Sequence, residues 1–167
     1  GLYDAAHEHD SCGIGFVAHI KGAASHNIIE HGLEVLERME HRGAESADNK
    51  TGDGAGILIQ LPHTYFKTLI SGLPEAGEYG SGLVFLPQNQ KDRDLCIETF
   101  SRCVENEGLK ILAWRDVPVD SSVIGEIAKA SEPLMKQVFV AGKAALLQDE
   151  LERKLYIARK MSEKETR

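Results

Sequence analysis

Residues 13–20 of the chain set Gly13, Gly15, Val17 and His19 between Ile14, Phe16, Ala18 and Ile20, a near period of two that predicts a β-strand. The period then lengthens. Ile29, Leu33 and Leu36 recur at helical spacing, with Ile28, Val35 and Met39 on the adjoining stripe, and Ser25 stands where an N-cap belongs. This predicts a helix from Ser25 to Met39, weakened by roughly 1 kcal/mol at Gly32. Residues 41–54, rich in Gly, Asp and Asn, read as a loop. Ile57 to Leu61 reads as a second strand ended by Pro62, residues 63–71 as a short helix, and residues 72–82 as a Gly-rich connection. A third strand is expected over Leu83–Leu86, a helix over Asp92–Asn106 with Gly108 as its stop, and a fourth strand over Lys110–Arg115. Strand, helix and strand in that order suggest a compact α/β excursion. Beyond it the pattern predicts a helix over Val123–Ala130, a short strand over Gln137–Ala141, and a helical or mixed segment over Leu147–Lys160. Ser162 to Arg167 reads as a charged, frayed end. Nothing repeats, and no segment is of low complexity. The periodicities alone give a mixed α and β fold.

Composition narrows the class. The chain has 167 residues, the size of one domain or a large part of one, and 42% are hydrophobic, enough to build a core. A formal net charge of -7 argues against nucleic acid or an anionic membrane surface as partner. No apolar run approaches the ~18 residues of a membrane span, and no charged-then-apolar signal peptide opens the chain. Of the three cysteines, Cys96 and Cys103 lie seven residues apart in an expected helix, ~10 Å along its axis and outside disulfide reach. A reducing compartment, the cytoplasm, suits this cysteine usage.

The third cysteine is the main chemical candidate. Cys12 sits in His9-Asp10-Ser11-Cys12-Gly13-Ile14-Gly15-Phe16-Val17, at the expected start of the first strand. A lone cysteine is usually a small buried hydrophobe. Cleavage between Ser11 and Cys12, however, would give this residue a free α-amine beside its own thiol. Such an amine titrates near ~8 and can take the thiol proton at neutral pH.

Several further segments carry a family resemblance. They are Leu2-Tyr3-Asp4 through Glu8-His9-Asp10, Cys12 through Ala18, Glu40-His41-Arg42-Gly43-Ala44, Thr51-Gly52-Asp53-Gly54-Ala55-Gly56, Leu83 through Pro87, Ala113 through Pro118, and Glu152 through Tyr156. In this order, and over nearly the whole chain, they resemble the N-terminal part of the class II glutamine amidotransferase domain of the glutamate synthase large subunits. The resemblance implies an α+β fold, the N-terminal portion of an αββα Ntn-hydrolase sandwich, with residues 1–11 as a leader and 12–167 as a partial domain. It implies Cys12 as the nucleophile of glutamine hydrolysis, and Arg42 and Gly43 as residues beside it that order the site, the glycine N–H facing the reacting carbonyl. Glutamine is then the substrate, and the remaining domains of the synthase are partners. FMN and an iron–sulfur cluster are expected in the complete parent and no cofactor in this chain. The family's HSRFSTNT-like stretch, whose arginine holds the substrate carboxylate, and its HNGE-like stretch, which forms the oxyanion hole, do not occur in these 167 residues. The expectation is therefore an inactive isolated chain with an uncovered apolar surface at Ile14, Phe16 and Val17, prone to self-association. A non-catalytic binding or regulatory module built on the same half-domain is the alternative.

Other motifs have plainer readings. Arg42 and Gly43 also suit a helix C-terminus, where a cation meets the negative end and glycine ends the helix. Gly52 through Gly56 follows a loop and opens a strand, the reverse of a dinucleotide fingerprint, so a turn with positive φ is expected there. His7, His9, Cys12 and His19 could contribute to a zinc site, but no second Cys/His pair has structural-zinc spacing. Trp114 is expected in the core, Arg115 at the surface, and Glu152 to Lys154 on a solvated edge.

Overall fold

The computed structural model describes residues 13–43, 47–48, 50–52 and 54–166, and of Arg42 the backbone alone. It is an α+β fold whose chain divides into two compact units, one formed from residues 1–60 and 121–130, the other from residues 61–120 and 131–167.

The second unit holds the sheet. Strands β1 (Tyr79–Leu86), β2 (Leu109–Asp116) and β3 (Leu134–Gly142) lie in the order β1-β3-β2, all neighbours antiparallel. The register pairs Tyr79 with Ala141 and Leu86 with Leu134 on one side of β3, and Leu109 with Gly142 and Asp116 with Lys136 on the other, with an irregularity between Ile111 and Ala113. The last strand in sequence is thus the central one, and its residues Val138 to Ala141 are all buried.

Two helices cover one face. Helix α3 (Gln90–Asn106) starts two residues before the sequence pattern indicates, because Asn89 caps it: its side chain accepts from the Asp92 N–H at 3.2 Å. Gly108, at φ 71°, ends it as expected, in the left-handed conformation that suits glycine. Helix α5 (Gln148–Glu165) is one unbroken helix, so the mixed reading of residues 147–160 is replaced by a single element, and Ser162, expected at a frayed end, is buried in it. Lys154 ties α5 to the end of α3 by donating to the Glu107 carbonyl at 3.0 Å. Between these helices and the sheet lie Val104, Leu109, Val138, Val140, Leu151 and Ala158, with Trp114 set edge-on to Phe100 at 5.6 Å between ring centroids. Trp114, expected in the core, is half-buried and packs against its edge.

The other sheet face is partly covered by α2 (His63–Leu69), which lays Phe66 edge-on against Phe139 at 5.0 Å. Leu73, Tyr79 and Ala141 complete this smaller cluster. Beyond it the face turns polar: Arg115 donates to Gln137 at 2.9 Å and Gln137 to Ser81 at 3.1 Å, one side chain from each strand. Arg115 is half-buried in this ladder rather than simply at the surface. β1 starts at Tyr79, inside the stretch expected to be a connection; Gly80, Ser81 and Gly82 lack any apolar alternation and become a strand by pairing with Val140, Phe139 and Val138.

The first unit is built on α1 (His26–Arg38), capped by Ser25, whose hydroxyl accepts from the Asn27 N–H at 3.2 Å. The helix packs against two further segments. Val35 Cγ1 lies 2.5 Å from where a Cβ on Gly15 would stand, and Ile57 Cδ1 lies 2.9 Å from the corresponding point on Gly32. These segments, 13–20 and 57–61, were both expected as strands. Among the described residues neither forms one: they have no regular structure and Ile20 lies in a turn, because pairing, not apolar pattern, makes a strand. The expected helix over 123–130 is shorter, α4 (Glu126–Ala130).

Candidate active site

Cys12 lies outside the described residues, immediately before Gly13, where the described chain begins. In the segment that follows, Gly15 lies against Val35 of α1. Ile14 and Phe16, the residues on either side, are 90% and 92% exposed.

Arg42 and Gly43 sit where α1 tightens. After its C-cap at Met39 the chain makes a 3-10 turn over Glu40–Arg42, and the Gly43 N–H donates to the Glu40 carbonyl at 3.0 Å. In this geometry that N–H is engaged within the turn. Gly43 has φ -86° and ψ 155°, open to any residue, so conformation alone does not call for glycine here. The helix proper ends at Arg38, a turn before the Arg42–Gly43 pair read as its terminus.

The loop after Gly43 is held by an aspartate that the sequence did not single out. Asp48 Oδ1 accepts from the Thr51 N–H at 2.8 Å and the Lys50 N–H at 3.2 Å, and Oδ2 accepts from the Thr51 hydroxyl at 2.6 Å. The Ile127 N–H, at the start of α4, adds a smaller pull towards the charged form. Donors converging on the charged form, the Thr51 hydroxyl foremost, hold the Asp48 carboxyl down at about 2. The one local signal was the Asp-x-x-Thr spacing, which suits a side chain that caps its own loop. Asp53 lies outside the described residues; Gly54 has φ 71°, so the expected positive-φ turn is present in the Gly-rich run.

A second group of titratable residues occurs in the sheet unit. His63 Nδ1 lies 3.2 Å from the Tyr79 hydroxyl, and its buried Nε2, without a hydrogen-bond partner, is 3.7 Å from Glu75, which also takes Lys67 Nζ at 2.6 Å. The Lys67 ammonium holds the Glu75 carboxyl below its usual range, and burial pushes the Tyr79 hydroxyl up.

Metal chemistry finds no support in the described part. No three His, Cys, Asp or Glu residues converge there. His7, His9 and Cys12 lie outside it, and His19 Nδ1 accepts from the Ala23 N–H at 3.2 Å in a local turn. Cys96 and Cys103 are both free and both on α3. No helix among the described residues is long and apolar enough to cross a membrane.

Comparison with known proteins gives these positions a context. Residues 12–167 match the family of class II glutamine amidotransferases. The chain is 43% identical over 167 residues to the glutamate synthase [NADPH] large chain of Bacillus subtilis (strain 168), with 98% of this chain and 11% of that protein covered. It is 42% identical over 174 residues to the glutamate synthase [NADH] of Schizosaccharomyces pombe (96% and 8% covered), and 41% identical over 156 residues to the ferredoxin-dependent glutamate synthase 2 of Synechocystis (91% and 10%). The chain thus spans about a tenth of the length of these relatives. With the family match running over all but its first eleven residues, the chain belongs to the class II glutamine amidotransferases.

Proposed function

We propose that the chain is the N-terminal part of the glutaminase domain of a glutamate synthase, with Cys12 as nucleophile. The observation that carries this reading is the start of the family match: it begins at Cys12 and leaves residues 1–11 outside, as a removable leader requires. In the given sequence the Cys12 nitrogen is an amide bonded to Ser11 and has no basicity. Hydrolysis of that bond frees an amine that takes the thiol proton. The thiolate then adds to the side-chain carbonyl carbon of glutamine, ammonia leaves with the proton returned by the amine, and water cleaves the resulting thioester to glutamate and free thiol. Arg42 and Gly43, at the end of the 3-10 turn after α1, stand beside this site and order it. The oxyanion of the tetrahedral intermediate needs donors in addition to Gly43, whose N–H is engaged with Glu40 in this geometry.

The same reading makes glutamine the substrate and the remaining synthase domains the partners, which receive the ammonia. FMN and the iron–sulfur cluster belong to those domains. The enzyme works in the cytoplasm, with no nucleic acid or membrane partner. The fold is the N-terminal portion of an αββα sandwich. Helix α1 supplies a helical layer over the two segments it packs against, whose far side presents Ile14, Phe16 and the fully exposed Leu58 (100%) for a further layer. All the relatives named above are glutamate synthases, so nothing favours a non-catalytic module.

The test uses the full-length synthase that carries this domain. Its mature subunit is expected to begin at Cys12 by intact mass, and Cys12→Ala to abolish glutamine-dependent turnover while ammonia-dependent glutamate formation persists. A fully active subunit that retains the leader would overturn the free-amine mechanism.

A further inference from the structure

Loops beside a reactive residue need anchors, because a misplacement of ~1 Å costs about 10²-fold in rate. The loop after Arg42 and Gly43 has two. At its near end the 3-10 turn fixes Gly43 through Glu40. At its far end Asp48 gathers the Lys50 and Thr51 N–H groups and the Thr51 hydroxyl, and these bonds alone would make only a local turn. The N-terminal end of α4 comes onto the same carboxylate, since Gly125, one residue before the helix, lies directly against it. Gly125 is what lets them meet. A Cβ there would run into Asp48 Oδ2 and the Thr51 hydroxyl well inside van der Waals contact.

The Lys50 and Thr51 N–H groups and the Thr51 hydroxyl share one carboxylate. A carboxylate offers two oxygens and no proton, and so can meet all of them; an amide offers one oxygen and turns an NH2 towards the rest. The arrangement is specific to aspartate, to a hydroxyl at residue 51 and to glycine at residue 125.

We propose that Asp48 is a positioning residue, which with Thr51 and Gly125 ties its own turn onto the start of α4, and so helps to fix Arg42 and Gly43, upstream in the chain, for glutamine. The inference rests on the glutaminase reading. It differs from that reading in locating part of the site's order in the 121–130 segment, remote in sequence from Cys12.

The experiment measures glutamine-dependent ammonia release, with kcat and KM separated, in the full-length synthase carrying this domain. Variants are Asp48→Asn, Thr51→Val, Thr51→Ser and Gly125→Ala, with Cys12→Ala as control. Asp48→Asn, Thr51→Val and Gly125→Ala are expected to lower kcat/KM by about 10- to 100-fold, largely through KM, and Thr51→Ser, which keeps the hydroxyl, to stay within about twofold of the parent. Hydrogen exchange on the same proteins should show residues 47–52 and 125–130 losing protection together in Asp48→Asn. If that variant keeps kcat/KM within about twofold, or if the two segments lose protection independently, the tie is overturned. Should a variant fold poorly, Thr51→Val against Thr51→Ser still decides, because the pair differs at the hydroxyl: equal kcat/KM for the two overturns the proposal. Failure of the underlying reading would look different, since Cys12→Ala would then retain ammonia release whatever Asp48 does.

Discussion

Single residues in this chain carry their weight through what they touch, and Asp48 shows it in its titration. Its carboxyl ordinarily titrates at 3.8 and is held at about 2 in the fold. A lowered folded value means that the stabilisation is complete above the unfolded value and disappears as pH falls through the folded one. The stability gap between the chain and its Asp48→Asn variant should therefore be constant near neutrality and close as pH drops from about 4 to about 2; denaturant midpoints over that range check it, and a gap that ignores pH would refute it. Phe139 is another such residue, 0% exposed in the central strand and packed on Phe66 and Tyr79. Phe139→Ala should cost about 3–5 kcal/mol in urea unfolding, because the cavity lies where α2 meets the sheet. Replacing Tyr79 by phenylalanine removes only the hydroxyl that meets His63, at an expected cost of about 0.5–1.5 kcal/mol.

Elements with local instructions were legible. Helix α1 has an N-cap serine and a stripe from Ile28 to Met39, and α3 has Gly108 as its stop; each formed where the pattern put it, to within two residues at α3. Ser25→Ala should lower stability by about 0.5–2 kcal/mol, read as a lower thermal midpoint with unchanged sheet signal. Strands were less legible. Residues 13–20 and 57–61 read as strands from their apolar pattern and form no strand among the described residues, while Gly80-Ser81-Gly82 has no such pattern and is a strand throughout. The difference is the partner: β3 offers a ladder to β1, and a strand's hydrogen bonds are made by a neighbour that sequence spacing does not reveal.

For the whole molecule, the consequence of those partnerless segments is an exposed apolar surface. Ile14 and Phe16 stand nearly free, as the half-domain reading implied, whereas Val17, expected beside them, is half-buried; Leu58 is free on the second segment. Exposed apolar faces seek pairing. The 167-residue chain should therefore self-associate with rising concentration in light scattering, and Phe16→Ser should reduce it; a strict monomer with strongly protected amides over residues 13–20 would contradict this. The same chain, trimmed to begin at Cys12, should release no measurable ammonia from glutamine, because the segments expected to hold the substrate carboxylate and the oxyanion are not among its residues.

What the sequence determined by itself was the chemistry's address: the ordered motifs from Cys12 to Tyr156 identified the family, and Cys12, Arg42 and Gly43 as its candidates. Caps and helical stripes fixed α1 and α3 for the same reason, since each depends on residues only a few positions apart. What tertiary structure decided was everything that joins distant residues. It placed the last strand, β3, at the centre of the sheet, engaged the Gly43 N–H in a turn, and brought Gly125 onto Asp48. Contacts of that kind depend on where the chain returns in space, and no periodicity along the chain encodes the place of return.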